Sequence, residues 1–162
     1  MDDGAMELRK ATRQDVEYVV DCVLAMLREM ASHGGDPLGQ EQRIRSALEV
    51  RFIDSLDEED HVFLIAAPQR EPAPPAGLIE ASIVGREEFF EPKSVLHVHS
   101  LYVQPSYRGQ GLGGKLLQAG LEWGRRKGCL EAELHVLVGN PARKLYENLG
   151  FETVELRMRL GL

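Results

Sequence analysis

Apolar positions along this chain follow two rhythms. Val16, Val19, Val20, Val23, Leu24, Leu27 and Met30 recur at spacings of three and one, the stripe of an amphipathic helix. Ahead of them Thr12-Arg13-Gln14-Asp15 has the spacing of a capping box, with Asp in place of Glu. His33-Gly34-Gly35-Asp36-Pro37 breaks that helix, and residues 40–56 predict a second, with Ile44, Leu48, Phe52 and Leu56 one turn apart. Strands are expected at residues 6–10, 62–67, 78–84 and 95–103, then a helix at 112–127 and a strand at 131–138. Asn140-Pro141 opens a short helix, Asn as cap and Pro at the first helical position, and Gly150 closes it. Residues 153–160 alternate strictly, with Val154, Leu156, Met158 and Leu160 inward and Glu155, Arg157 and Arg159 outward, so a last strand is expected. The predicted order is β-α-α-β-β-β-α-β-α-β, an α/β chain built on a mixed sheet.

Length and composition narrow the class. At 162 residues with 43% apolar and 28% charged side chains, one globular domain spanning 1–162 is expected, with residues 1–5 disordered. Residues 68–76 hold four of the eight prolines, yet nine residues make a stiff inter-strand loop and not a domain linker. The longest apolar run, residues 62–67, is far below the ~20 residues that span a bilayer, so no membrane is expected. The acidic start has no signal-peptide pattern and two cysteines make no disulfide framework, which points to the cytoplasm. A net charge of −7 argues against nucleic acid as a partner. Between Arg108 and Lys144, however, seven basic residues face three acidic ones, which suits an anionic small ligand.

Residues 109–114, Gly-Gln-Gly-Leu-Gly-Gly, match the letter of the dinucleotide fingerprint G-x-G-x-x-G, with Glu131 near the place of a ribose acid. Two features oppose that reading. Gln104-Pro105-Ser106-Tyr107-Arg108 separates the first glycine from the strand, and only 48 residues follow Gly114, too few for the further parallel units a dinucleotide fold needs. The alternative is an anion cradle. Arg108-Gly109-Gln110-Gly111-Leu112-Gly113 presents consecutive backbone N–H groups at a helix start, and glycine lets a pyrophosphate approach them.

That segment resembles the acyl-CoA-binding motif R/Q-x-x-G-x-G/A of the GNAT N-acyltransferase superfamily. Residues 140–151, Asn-Pro-Ala-Arg-Lys-Leu-Tyr-Glu-Asn-Leu-Gly-Phe, are similar to its second motif, N-x-x-A-x-x-L-Y-x-x-x-G-F. The pair of motifs is far more specific than either alone, and the element order is similar over most of the chain. The resemblance implies acetyl-CoA as cosubstrate, lying between splayed strands. Backbone groups of Leu101, Tyr102 and Val103 would pair with the pantetheine arm, and residues 108–113 would hold the pyrophosphate. Asn140 and Arg143, three apart on one helix, would reach its amide and phosphate groups. It also implies that Tyr146 protonates the leaving thiolate; an interface-filling tyrosine is the other reading.

His97-Val98-His99 lies on the strand before the turn. Alternation puts both imidazoles on one face beside Leu101, and histidine titrates where an amine can be relieved of its proton. The segment looks like the paired-histidine strand of arylalkylamine N-acetyltransferases, where the pair assists deprotonation; structural histidines are the alternative. A His-x-His pair is also half of a zinc site, but no spacing nominates a third ligand among His61, His135 or an acid, so no metal is expected. Cys22, on a helix flank, and Cys129, at a turn, lack the setting of a nucleophile. The expected activity is acetyl transfer to a primary amine of a small molecule by direct attack, with a peptide acceptor or a non-catalytic CoA-binding module as alternatives. The resemblance places acceptor contacts in residues 33–40 and 86–93, where Asp36, Glu87 and Glu88 are candidates. Dimers are frequent in the superfamily, so a homodimer is a partner to test for.

Overall fold

The computed structural model describes residues 6–68 and 74–161. The first five residues, expected to be disordered, and residues 69–73 of the proline-rich loop lie outside them. Strand β1 (Met6–Lys10) leads into helices α1 (Val16–Ser32) and α2 (Glu41–Ser55). Strands β2 (His61–Pro68), β3 (Gly77–Gly85) and β4 (Ser94–Val103) follow, then α3 (Leu112–Arg126), β5 (Ala132–Leu134) and α4 (Arg143–Asn148). The strands lie in sequence order in one sheet, antiparallel from β1 to β4 and parallel between β4 and β5.

Alternation along β2 and β3 divides the core into two layers. Val62, Ile79 and Ala81 pack with Leu116, Leu117 and Trp123 of α3 on one face. Phe63, Ile65 and Leu78 pack with Val19 and Val23 of α1 and Phe52 of α2 on the other. Helix α3 lies close to the sheet because Gly120 and Gly124 face it: a Cβ there would meet Ile79 at 2.7 Å and Leu96 at 2.8 Å. The start of α1 is fixed as its sequence requires. The Asp15 carboxylate accepts the Thr12 N–H at 2.7 Å and both guanidinium nitrogens of Arg9 at 2.9 Å.

Two expectations are corrected. The strand expected over residues 131–138 pairs with β4 only at Ala132–Leu134. The last strand is not formed: residues 153–160 carry no ladder, and the side chains expected inward are exposed, Val154 at 91% and Leu160 at 83%. The observed order is therefore β-α-α-β-β-β-α-β-α. An alternating segment becomes a strand only where an edge supplies its backbone partners. The three residues of β5 offer too short an edge for eight. An ion pair from Arg159 to Asp36, at 2.7 Å, instead carries the segment toward the loop between α1 and α2.

Candidate active site

Beyond Val98 and Leu134 the parallel strands β4 and β5 part. The gap opens into a cavity of about 650 Å³, walled by residues 97–103 on one side and 134–137 on the other, with α1, α4 and the glycine turn completing it. Leu101, Tyr102 and Val103 lie along the β4 wall, where nothing pairs with them from the β5 side.

The turn closes one end. Gly109 and Gly111 have φ of 77° and 78°, the left-handed region that favours glycine. Gly111 caps α3, and the first helical bond runs from the Lys115 N–H to the Gly111 carbonyl at 3.1 Å. The N–H groups of Leu112, Gly113 and Gly114 consequently lack helical acceptors at the positive end of the helix dipole. Arg108 has other duties: its Nε donates to the Val103 carbonyl at 2.9 Å and its Nη2 pairs with Glu29 of α1 at 2.6 Å. Gln110 turns away from the cavity and donates to the Ser106 carbonyl.

On the far side, the Asn140 side-chain oxygen accepts the Ala142 N–H at 2.9 Å and opens the short helix, and the residue lines the cavity. Tyr146 also lines it, its ring edge-on to Phe151. Burial pushes the Tyr146 phenol above its usual pKa, so it stays protonated at neutral pH and retains a proton to give. Arg143 does not join them; its guanidinium pairs with Glu147 one turn along α4 at 2.7 Å.

The histidines sit where β4 is irregular. Glu80 pairs with Ser100 but Ala81 with Val98, so His99 is an extra residue, a β-bulge. His97 and His99 share a face and line the cavity, with ring centroids 4.6 Å apart. Leu101 is not beside them, contrary to simple alternation: past the bulge the side chains change faces, and Leu101 and Val103 join Val98 in the α3 layer. His135 adds a third ring, 5.2 Å from His97, and the Ser82 hydroxyl lies 2.7 Å from His99 Nε2. Burial first, then the neighbouring His97 and His61, hold the His99 imidazole below its usual pKa, against the opposing charge of Glu80. It is therefore neutral near pH 7 and free to accept a proton. Among the described residues no group of three or more His, Cys, Asp or Glu is placed to hold a metal ion.

Residues 26–151 match the family model described as the acetyltransferase (GNAT) family. The chain belongs to this family. Its similarity to the pig thialysine N-epsilon-acetyltransferase is 31% identity over 139 residues, 80% of this chain and 78% of that one. It is 40% identical over 72 residues to the Trypanosoma brucei brucei glucosamine 6-phosphate N-acetyltransferase, 43% of this chain and 46% of the relative. This and other curated relatives are thus matched over less than half of their own length. A Clostridium acetobutylicum predicted acetyltransferase, solved with acetyl-CoA, has the same fold: TM-score 0.76 at 19% identity, covering 97% of this chain and 96% of that one.

The acceptor loops of this GNAT chain are less informative than expected. Asp36 pairs with Arg159, and Glu87 and Glu88 are exposed and line no part of the cavity. The walls that sequence reasoning missed are Met26, Glu29 and Met30 of α1, together with His135 and Leu137. Glu29 had no distinguishing signal on a polar helix face. Glu80 did: a lone carboxylate inside the strand Leu-Ile-Glu-Ala-Ser-Ile-Val is a buried charge awaiting partners.

Proposed function

We propose that residues 1–162 form a single N-acetyltransferase domain that moves an acetyl group from acetyl-CoA to a primary amine of a small molecule by direct attack. The observation that carries this reading is the meeting of three features in one cavity: the glycine turn, the His97–His99 pair with its neutral His99, and the protonated Tyr146. The free N–H groups at the start of α3 bind the pyrophosphate. The edge of β4 at Leu101 and at the Val103 N–H takes the pantetheine arm as a missing strand, the Val103 carbonyl being held by Arg108. Asn140 contributes at the far wall, and Arg108 acts more through its place in the turn than through its charge.

His97 and His99 take the proton from the acceptor ammonium, directly or through one water. The freed amine forms a C–N bond with the thioester carbonyl, the C–S bond breaks, the departing thiolate takes the proton of the Tyr146 phenol, and the second proton shed by the new amide nitrogen returns through water to restore the phenol. No cysteine is acylated. Burial pushes the Cys22 thiol up to about 11 and raises that of Cys129, which leaves both without appreciable thiolate at neutral pH.

Support for a small acceptor comes from the names of two relatives, which specify thialysine and glucosamine 6-phosphate. The test is thiol release from acetyl-CoA with a panel of primary amines, amino acids, aminoglycosides and N-terminal peptides. Turnover of small amines with no acetyl-enzyme by mass spectrometry is the expected result. Turnover confined to peptides replaces the acceptor class, and coenzyme binding without turnover of any acceptor replaces the enzyme with a binding module.

A further inference from the structure

Beneath the bulge lies a charge that the proposed mechanism does not use. Glu80 is 1% exposed, at the centre of the sheet, and is absent from the cavity wall. Three side chains from three elements converge on it: Arg51 of α2 and Ser100 of β4 at 2.9 Å, and His61 of β2 at 3.3 Å. Two of those contacts lead to the site. Ser100 itself lines the cavity, and the His61 ring stacks on that of His99 with centroids 5.7 Å apart and planes within 9°.

We propose that Glu80 is a positioning residue for the transfer reaction, a buried counter-charge that governs when His99 gives up its proton.

The physical argument starts from cost. A carboxylate buried in a sheet is stable only with compensating donors, and apolar side chains of similar volume would hold the same elements together equally well. A purely mechanical role therefore does not call for a charge here. Its placement does: the shift in register sets Glu80 opposite Ser100, next to the extra residue His99. Burial opposes ionisation of Glu80, but the His61 bond, the Arg51 charge and the Ser100 hydroxyl outweigh it, and the group remains an anion. That anion favours the imidazolium form of His99, whereas Arg51, His61 and His97 disfavour it. The remaining groups around the ladder are the neutral Ser82 hydroxyl of β3, against His99, and His135 and Glu133 beside His97. His99 thus lies between charges of opposite sign on a rigid sheet, and the balance sets its proton affinity.

The inference rests on the histidine-base reading, so two readouts separate them. His99 is titrated by ring NMR in the full chain and in Glu80→Gln and Arg51→Gln, and kcat/KM is followed against pH with one acceptor amine throughout. Removing the anion should move the His99 titration toward acid by about half a pH unit, and removing the cation should move it toward alkali. The acidic limb of kcat/KM should follow both shifts. Opposite signs are the signature; a mechanical role would lower activity or melting temperature in both variants with no displacement, or with displacement in one direction. Arg51 is half exposed, so its variant keeps the test alive if Glu80→Gln does not fold. A His99 titration unmoved in the folded variants overturns the proposal. A titration that moves while the limb stays fixed removes His99 as the base and with it any part for Glu80 in the transfer reaction, and so overturns the proposal through the reading on which it rests.

Discussion

In the proposed reaction Tyr146 and the histidines act on opposite ends of the same bond exchange, and their environments suit opposite tasks. The phenol is held protonated by burial, and the His99 imidazole is held neutral by burial, with Arg51 and the neighbouring imidazoles adding to it and Glu80 opposing. Tyr146→Phe removes one hydroxyl and little packing. Acetyl-CoA affinity by calorimetry should be unchanged, while kcat falls by ~10²–10⁴ if protonation of the thiolate limits the rate. Unaltered turnover with the best acceptor would make the residue a wall and leave water as the donor. Replacing His97 and His99 together by glutamine should depress kcat/KM and flatten its rise on the acid side of about pH 6.5, where the lowered His99 pKa puts it. A double variant with the wild-type profile would send the search for the base elsewhere.

Two helix starts carry much of what these residues depend on. At α1, Asp15 is held below the usual carboxylate range chiefly by the Arg9 guanidinium, with the Thr12 donors adding to it and burial opposing. A depressed folded pKa gives stability that is present above the unfolded value of ~3.9 and lost as pH falls through the folded one. Melting temperature should therefore drop below about pH 4, and Asp15→Ala should cost about 0.5–2 kcal/mol at neutral pH and lose that acid dependence, checked by thermal melts at both pH values. At α3, Gly111→Val places a branched side chain at φ 78°, where nothing else lies within 4 Å of its Cβ. Coenzyme affinity should collapse while the circular dichroism of the fold survives. The α3 start was legible in the sequence because turn chemistry is local: glycines, their spacing and the following helix are consecutive. The stripes of α1 and β2 were legible for the same reason. Residues 153–160 were misread because alternation states which face is apolar and not whether an edge is waiting. Likewise His61, His135 and Glu80 come together only through the sheet register, which no local spacing encodes.

Across the whole molecule, the two core layers run unbroken past one inserted residue. Up to Val98 the even-numbered side chains of β4 face α3; after the bulge the odd-numbered ones do, as Leu101, Val103 and Tyr102 mark by their layers. Strand β4 thus has two halves of opposite parity, and His99 is the comma between them. The residues on either side of it would alternate correctly without it. His99→Ala should fold with a melting temperature close to wild type, since the ring is partly solvated. The chain with residue 99 deleted should fold as well: Val98 then runs straight into Ser100 in regular alternation, Leu96, Val98, Leu101 and Val103 stay in the α3 layer, and Ser100 and Tyr102 stay on the other face. A deletion scan along β4 scored by soluble yield should accordingly show tolerance at 99 and loss at 97 and 101, where neighbours from one layer would be forced onto alternate faces. Homologous chains aligned through this strand should accept a one-residue gap opposite His99 and otherwise place their gaps in the loops on either side.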